Sequence, residues 1–262
     1  MMLKTGFDRN VIKRCFSKAA STYDGFSFFQ RMAATEVMNR LCASGPLPSP
    51  ILDIGCGTGF LLELVKSSFP EVRACGADIA LPMLRRAREK AGTQGSGLVA
   101  SDCEALPFMD ESFAVAASSL TFQWAQDSAA FPEAFRVLKK GGLFIFSTLG
   151  PATLNELKEC YHGYQGIEFR EAAEIERTLH EAGFEKTSVE SKIIQMRYGS
   201  FMDLLRTLKC IGASPPLECG KGLSPGRAMK EAGRAYAQRF PANEGGGVLA
   251  SYELIIASAR KL

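Results

Sequence analysis

The chain has 262 residues, of which 46% are hydrophobic and 23% charged, so it can bury the core of one large domain and is neither disordered nor fibrous. Its 31 basic and 28 acidic residues leave a net charge of +3, too small to indicate nucleic-acid binding, and no apolar run approaches the ~20 residues of a membrane span. With two histidines and eight cysteines but no C-x-x-C pair, we expect no metal site and a reducing, cytoplasmic location.

Residues 1–45 are predicted to form a helical cover. Apolar residues recur at helical spacing from Phe7 to Phe16, and again from Phe28 to Leu41. The proline-rich stretch over residues 45–50 ends the second helix, because proline lacks the helical N–H and restricts the residue before it.

Beyond the prolines, short apolar runs alternate with helical patterns, which predicts crossover units on a parallel sheet. The predicted strands cover residues 51–54, 72–77, 98–100, 113–118 and 144–148, and the predicted helices cover 60–68, 82–90 and a stretch ending at 138. A helix over 171–182 precedes two alternating segments, 184–198 and 247–260, which predict a terminal antiparallel pair. The segment between them, 200–243, is predicted to be a helical lid. We therefore expect a doubly wound α/β sheet of seven strands.

The strongest local pattern is a glycine-rich turn after the first predicted strand. Gly55, Gly57 and Gly59 follow Asp53 and open the next helix. Glycines allow a sharp turn and a close ligand approach, and a helix start presents free N–H groups. The spacing differs from the dinucleotide pattern G-x-G-x-x-G, and an acid before the turn suits a cationic ligand better than a pyrophosphate.

Two further acids follow the next two predicted strands. Asp78 ends the second strand and Asp102 follows the third. Because ligands of open parallel sheets lie beyond the carboxyl ends of the strands, we expect these acids to share one site with Asp53. Asp78 has the chemistry to accept both hydroxyls of a ribose, although either acid could instead cap a helix or stabilise a turn.

This series of a glycine turn and three acids resembles class I S-adenosylmethionine (SAM) methyltransferases. The resemblance implies a Rossmann-like fold over residues 1–262, a cofactor-binding core over 46–150, and SAM as the cofactor. It places Asp78 at the ribose and Asp102 at the adenine. The cofactor-binding residues implied are Gln30, Asp53, Gly55, Gly57, Gly59, Asp78, Ile79, Met83, Asp102, Cys103 and Ser118.

A narrower resemblance is to malonyl-[acyl-carrier-protein] O-methyltransferase of biotin synthesis, the BioC family. The matching stretches are 16–20, Tyr23-Asp24, Gln30-Arg31, 118–124, 136–142, 146–149, 156–157, 206–213 and 251–253. This sequence has Ser119 where the family usually has asparagine, and residues 166–169 stand where a His-x-Asn-x-Phe segment is expected. Both departures concern the substrate pocket and leave the cofactor site intact.

The family resemblance implies methylation of the free carboxylate of a malonyl thioester on acyl carrier protein. That carboxylate is already ionised at pH 7, so no general base is needed and the lack of a catalytic triad is expected. Tyr23, Gln123 and Arg206 are the implied catalytic residues; Tyr23 could instead be an aromatic plug. The alternatives are a methyltransferase acting on another small carboxylate or a quinone, and a SAM-binding protein without turnover.

Positive charge is concentrated in two segments. Residues 1–31 carry six basic and two acidic side chains, and residues 200–243 carry seven and three, so each segment has a net charge of +4. We expect both segments to flank the site entrance and to attract an acidic carrier protein, with no nucleic acid or membrane as a partner. The alternative is that these are ordinary solvated helix faces.

Overall fold

A computed structural model describes residues 8–125, 129–161, 164, 166–213, 225–242 and 245–262. Its strands are β1 (Ile51–Ile54), β2 (Ala74–Asp78), β3 (Gly97–Ala100), β4 (Phe113–Ser119), β5 (Leu138–Leu149), β6 (Glu185–Tyr198) and β7 (Val248–Arg260). Its α-helices are α1 (Arg9–Ala19), α2 (Tyr23–Phe26), α3 (Phe28–Ala43), α4 (Phe60–Ser68), α5 (Leu81–Glu89), α6 (Ala130–Val137), α7 (Asn155–Cys160), α8 (Ala172–Glu181), α9 (Phe201–Cys210) and α10 (Pro225–Arg239). Two short 3₁₀ turns cover Ala91–Thr93 and Phe122–Trp124.

Within the described residues, the seven strands form one sheet in the order β3-β2-β1-β4-β5-β7-β6. Strands β1 to β5 are parallel, and β7 runs antiparallel to both β5 and β6. The chain leaves β1 toward β2 and β3, and then returns to the other side of β1 as β4. This reversal is where open α/β sheets bind ligands. The predicted doubly wound sheet of seven strands and its terminal antiparallel pair are confirmed.

The central strands of the sheet are buried on both faces. Along β1, Leu52 and Ile54 belong to one hydrophobic core, whereas Ile51 belongs to the other, because successive strand residues point to opposite faces. The first core packs against α6 and α8, and the second against α3 and α4. A third cluster joins α3, α9, α10 and β7, so the lid helices pack on the antiparallel end of the sheet.

Differences from the predicted elements are confined to short or irregular segments. The one-turn helices α2 and α7 were not predicted, because four to six residues carry too little periodicity to mark a helix. Strand β5 begins at Leu138 rather than 144, since Leu138 pairs with Phe113 across an irregularity in register. The predicted helical residue Phe7 lies outside the described residues.

The helices that frame the sheet begin where the sequence supplies a cap or a turn. The carboxylate of Asp8 accepts a hydrogen bond of 2.7 Å from the Asn10 N–H at the start of α1. Helix α4 starts after Gly59, which has a φ of +85°. In the described part of the chain, no helix combines the length and the apolarity needed to cross a membrane.

The close packing around Gly59, at the start of α4, leaves no room for a side chain. A Cβ at Gly59 would lie 2.8 Å from Thr93 Cγ2 and 3.1 Å from Ala87 Cβ. We expect Gly59→Ala to lower the free energy of unfolding by roughly 2–5 kcal/mol, since it adds overpacking to the cost of a left-handed backbone. Urea denaturation followed by circular dichroism would measure this.

The matched control is Gly95→Ala. Gly95 has a φ of +78° but no atom within 4 Å of a built Cβ, so it carries the backbone cost of about 1–2 kcal/mol without the crowding. If both variants lose the same free energy of unfolding, crowding against Thr93 does not contribute to the effect at Gly59.

Candidate active site

A cavity opens where four parallel strands end, and we call it the strand-end cavity. Its wall is formed by the residues that end or follow β1 to β4 and by one residue of α5. These are Gly55 and Gly57 after β1, Asp78 and Ile79 at β2, residues 101–104 after β3, residues 119–121 at β4, and Met83 of α5. Helix α1 covers it through Arg9, Ile12 and Phe16. The strand ends thus bring together the groups that the sequence placed at one edge of the sheet.

Asp78 is fixed by two backbone donors. The Gly57 N–H donates a hydrogen bond of 2.9 Å to Oδ2, and the Ala80 N–H donates one of 2.7 Å to Oδ1. Burial raises the pKa of this carboxyl to about 6, although the two hydrogen bonds oppose the shift. Asp78 therefore shapes the glycine turn and also presents its carboxylate to the strand-end cavity.

Asp53 is a buried acid without a partner. Its side chain is 2% exposed, and neither carboxylate oxygen accepts a hydrogen bond from any described residue. Burial, with the nearby charge of Asp78, raises its pKa to about 8. Asp53 lines a second cavity, the glycine-loop cavity, with Gln30, Gly55 and Ser119. An unpaired buried acid of this kind fits a ligand that carries positive charge.

Two of the predicted cofactor residues do not line these cavities. Gly59 packs against Ala87 and Thr93, away from the cavities. The Ser118 hydroxyl is fully buried and donates a hydrogen bond of 2.6 Å to the Ile54 carbonyl. The next residue, Ser119, lines both cavities instead. Gly59 and Ser118 therefore support the local structure rather than face a ligand.

Arg9 binds the loop after β3 and was not predicted as part of the site. Its guanidinium lies 3.3 Å from Asp102 and also forms an ion pair with Glu104. Cys103 lies between these acids, and burial followed by the charge of Asp102 raises its pKa to about 12, so the thiol stays protonated at neutral pH. Because Arg9 is more than 90 residues away from both acids, no local pattern could have revealed this contact.

A second attachment ties α2 to the glycine turn. Asp24 accepts a hydrogen bond of 2.6 Å from the Thr58 hydroxyl and lies 3.0 Å from Lys90 Nζ, which is also 3.5 Å from Glu63. Burial would raise the pKa of Asp24, but the hydrogen bonds from Thr58 and Lys90 lower it below its usual value. Asp24 is therefore ionised, and it holds the neighbouring Tyr23 near the site.

Tyr23 lies where three cavities meet. Its ring borders the strand-end cavity, the glycine-loop cavity and a third cavity, the aromatic cavity. Burial, and then the charges of Asp78 and Asp24, raise the pKa of its phenol above the usual value. The hydroxyl therefore remains a hydrogen-bond donor at neutral pH.

The aromatic cavity is lined by uncharged side chains of the described residues. They are Phe16, Tyr23, Phe29, Gln30, Leu120, Gln123, Trp124, Leu149, Thr153, Leu154, Tyr164, Ile167, Phe169, Leu208, Ile211, Ala213 and Tyr252. Gln123 is held in place: its amide nitrogen donates to the Leu120 carbonyl at 2.8 Å, and its amide oxygen accepts from Thr148 at 3.2 Å. Trp124 packs edge-to-face on Phe16 at 5.2 Å between ring centroids, which closes the wall toward α1.

The structure does not bring Arg206 to the other predicted catalytic residues. Leu204 and Leu208 form the buried face of α9, whereas the Arg206 side chain is 67% exposed and lies 3.6 Å from Asp203. It lines none of the three cavities. Among the described residues between β6 and β7, those that line the aromatic cavity are Leu208, Ile211 and Ala213.

Comparison with solved structures supports the fold. The chain superposes on a SAM-dependent methyltransferase of Thermotoga maritima, described as a possible histamine N-methyltransferase, with a TM-score of 0.59 and 19% identity over 96% of this chain and 100% of that one. It also resembles phosphoethanolamine N-methyltransferase 2 of Haemonchus contortus, in complex with phosphomonomethylethanolamine and S-adenosylhomocysteine, with a TM-score of 0.60 and 19% identity over 94% of this chain and 57% of that one.

Sequence comparison is more specific. Residues 52–146 match the family model described as a methyltransferase domain. Malonyl-[acyl-carrier protein] O-methyltransferase of Methylococcus capsulatus is 36% identical over 76% of this chain and 74% of its own length. The enzyme of that name from Geobacter sulfurreducens is 33% identical over 95% and 97%. The biotin biosynthesis bifunctional protein BioHC of Saccharophagus degradans is 38% identical over 87% of this chain and 42% of its own length. The chain therefore belongs to the malonyl-[acyl-carrier protein] O-methyltransferase family.

Proposed function

We propose that this protein uses SAM to methylate the free carboxylate of a malonyl thioester carried by acyl carrier protein, an early step of biotin synthesis. The observation that carries the proposal is the unpaired, buried Asp53 beside Asp78, an anionic site that is joined through Tyr23 to an uncharged acceptor cavity. The activities named for the relatives from M. capsulatus and G. sulfurreducens point to the same substrate.

The residues of the strand-end cavity fit SAM. Asp78 has the chemistry to bind the ribose hydroxyls, while Ile79, Met83 and Cys103 offer an apolar surface for the base near Asp102. Gln30 and Asp53 border the glycine-loop cavity, where the positive charges of the methionine end would offset the unpaired carboxylate. The glycine turn leaves the space that this ligand needs.

Bound SAM would supply a methyl group on a cationic sulfur, and transfer of that methyl group to an oxygen of the acceptor carboxylate would leave a neutral thioether. No proton moves, so the chain has to align the acceptor and exclude water. The protonated Tyr23 hydroxyl and the fixed Gln123 amide are the donors we assign to the acceptor. Arg206, on the exposed face of α9, cannot perform this role from its position.

The direct test is methyl transfer from labelled SAM to malonyl-carrier protein, with free malonate as the competing acceptor. We expect a methyl ester on the carrier-bound malonyl group only. Methylation of the free acid alone would instead favour a small-carboxylate methyltransferase, and tight SAM binding without turnover on any thioester would favour a binding protein. Restored growth of a biotin-requiring strain that lacks this methyltransferase would assign the pathway.

Asp78 supplies a test of the cofactor site. Asp78→Ala should weaken SAM binding by about 1–3 kcal/mol, because charged hydrogen bonds are lost. Titration calorimetry measures the change. Asp110→Ala, which removes an exposed acid paired with Arg136 outside the cavities, is the control and should bind SAM normally. Unchanged affinity of the Asp78 variant would contradict the ribose assignment.

The raised pKa of Asp53 predicts proton release on cofactor binding. With a pKa of about 8, Asp53 is mostly protonated at pH 7 in the free protein, and a cation beside it favours the ionised form. SAM should therefore release up to about one proton, measured by calorimetry in buffers of different ionisation enthalpy. Adenosine, which is uncharged, should release none.

Asp53→Asn should abolish the proton release. In the wild type, SAM affinity should fall as the pH drops below about 8, because binding then requires Asp53 to lose its proton, and should fall more steeply below about 6, where Asp78 is also protonated. Proton release that persists in the Asn variant would assign the titration to another group.

The predicted carrier-binding charges lie on two exposed helix faces. Lys13, Arg14 and Lys18 are exposed on α1, and Arg227, Lys230 and Arg234 are exposed on α10. Arg9 is already paired with the acids of the β3 loop, and Lys4 and Lys221 lie outside the described residues. On α10, Arg227 is likewise paired with Glu231, and Arg239 with Glu159. The carrier-binding role is therefore best supported by Lys13, Arg14 and Lys18 on α1 and by Lys230 and Arg234 on α10.

Reversing Arg227, Lys230 and Arg234 to Glu should raise the KM for malonyl-carrier protein by about tenfold or more at low salt, and spare a small malonyl thioester. The matched control replaces three exposed lysines with Glu at the start of β5 and β6, at the end of the sheet opposite the strand-end cavity. These are Lys139, Lys140 and Lys186. If both triple variants change KM equally, binding reflects net charge and the assigned surface is wrong.

A further inference from the structure

A cavity of about 280 Å³ lies beside the aromatic cavity and has no role in the site described above. Its wall includes Gln123, Thr148, Ile167, Phe169 and Arg170, and we call it the polar cavity. It shares Gln123, Ile167 and Phe169 with the aromatic cavity. A linear molecule could therefore place one end in the aromatic cavity and the rest of its length in the polar cavity.

The groups along the polar cavity suit a chain of amides that ends in an anion. Thr148 and Gln123 provide a hydroxyl and a carboxamide at its inner end. Ile167 and Phe169 supply apolar contacts, and the carboxylates of Glu168 and Glu174, which also line the cavity, can accept hydrogen bonds from amide N–H groups. The Arg170 guanidinium has one long ion pair, 3.8 Å to Glu174, and lies 5.9 Å from the Phe131 ring, so it retains donors for an anion.

The groove between α9 and α10 offers a contrasting entrance. It is lined by apolar groups such as Met202 and Met229 together with Lys230 and Arg234. It shares no lining residue with the aromatic cavity in the described part of the chain, so it offers no direct route to the acceptor position. Helix α1, by contrast, borders the polar cavity through Ile12 and carries the exposed Lys13 and Arg14.

We propose that the polar cavity holds the phosphopantetheine arm of the thioester substrate, with the phosphate at Arg170 and with Ile167 at the junction where the thioester passes into the aromatic cavity. This inference rests on the proposed function. It places the phosphate end of the arm near α1, one of the two basic helices assigned above to the acidic carrier.

The junction between the aromatic cavity and the polar cavity can be tested by placing a larger side chain there. Ile167→Trp should raise the KM for malonyl-phosphopantetheine at least about tenfold more than the KM for an S-ethyl malonyl thioester, because Ile167 borders both cavities but only the long substrate occupies the polar cavity. Met202→Trp, in the α9–α10 groove, is the matched control and should alter neither KM. An increase with Met202→Trp alone, or equal effects of Ile167→Trp on both substrates, would overturn the route.

The phosphate position is tested separately at Arg170, which is half-buried at the end of the cavity. Arg170→Met should raise the KM for malonyl-phosphopantetheine about tenfold while sparing malonyl-pantetheine, which lacks the phosphate. Equal effects on the two substrates would overturn the assignment of Arg170.

A binding measurement separates this inference from the proposed function. Trp124, the single tryptophan, borders the polar cavity, so titration with phosphopantetheine should change its fluorescence in the wild type and require about tenfold more ligand in Arg170→Met. If phosphopantetheine binds in this way but no thioester is methylated, the proposed function is wrong and the assignment of the polar cavity to the phosphopantetheine arm stands. Methylation with no sensitivity to Arg170 or Ile167 would reject the arm site and keep the function.

Discussion

The site is organised around the burial of Asp53. A carboxylate with no hydrogen-bond donor inside an apolar sheet is too costly to keep ionised, so the free protein holds it protonated, with a pKa of about 8. The fold is thereby spared the cost of an unpaired charge. A cationic ligand reverses this balance, because its own charge replaces the missing partner. Binding of the cation and ionisation of Asp53 are therefore coupled, and the bound ligand stabilises the folded chain.

The first two helices, α1 and α2, are held over this centre by few buried apolar residues and by several polar contacts. Only Ile12 and Ala19 of α1 are fully buried, so apolar packing alone fixes its position weakly. Arg9 attaches α1 to the loop after β3, and Asp24 attaches α2 to the glycine turn through Thr58. Both attachments involve the same strand-end loops that line the ligand cavity. Loops that are shaped for the ligand thus also set the position of the cover.

Much of the fold was predictable because it is encoded locally. Buried parallel strands are short apolar runs, and the glycine turn with its acids is one continuous motif, so Asp53, Gly57 and Asp78 were placed correctly at the strand ends. The contact of Arg9 with Asp102 joins distant parts of the chain, and no spacing rule encodes it.

Two site assignments depended on which way a side chain points. In β4, Ser118 and Ser119 point to opposite faces, so a shift of one residue exchanges a buried hydroxyl for a cavity-lining one. In α9, the spacing of Leu204 and Leu208 already marks the buried face and leaves Arg206 on the solvent side. The family resemblance pointed to stretches of sequence, and the direction of each side chain required the three-dimensional structure.

Strand β6 forms one edge of the sheet, and its 14 residues have a neighbouring strand on one side only among the residues that the structure describes. Long open edges invite pairing with other chains, and charged residues are a common defence. Here Glu190 forms an ion pair with Arg40, and Lys192 forms one with Glu36. These charged residues therefore also attach β6 to α3. The same helix carries Gln30 beside the ligand cavity. Replacing these charges with apolar residues would therefore expose the protein to aggregation and loosen the helix that reaches the cofactor site.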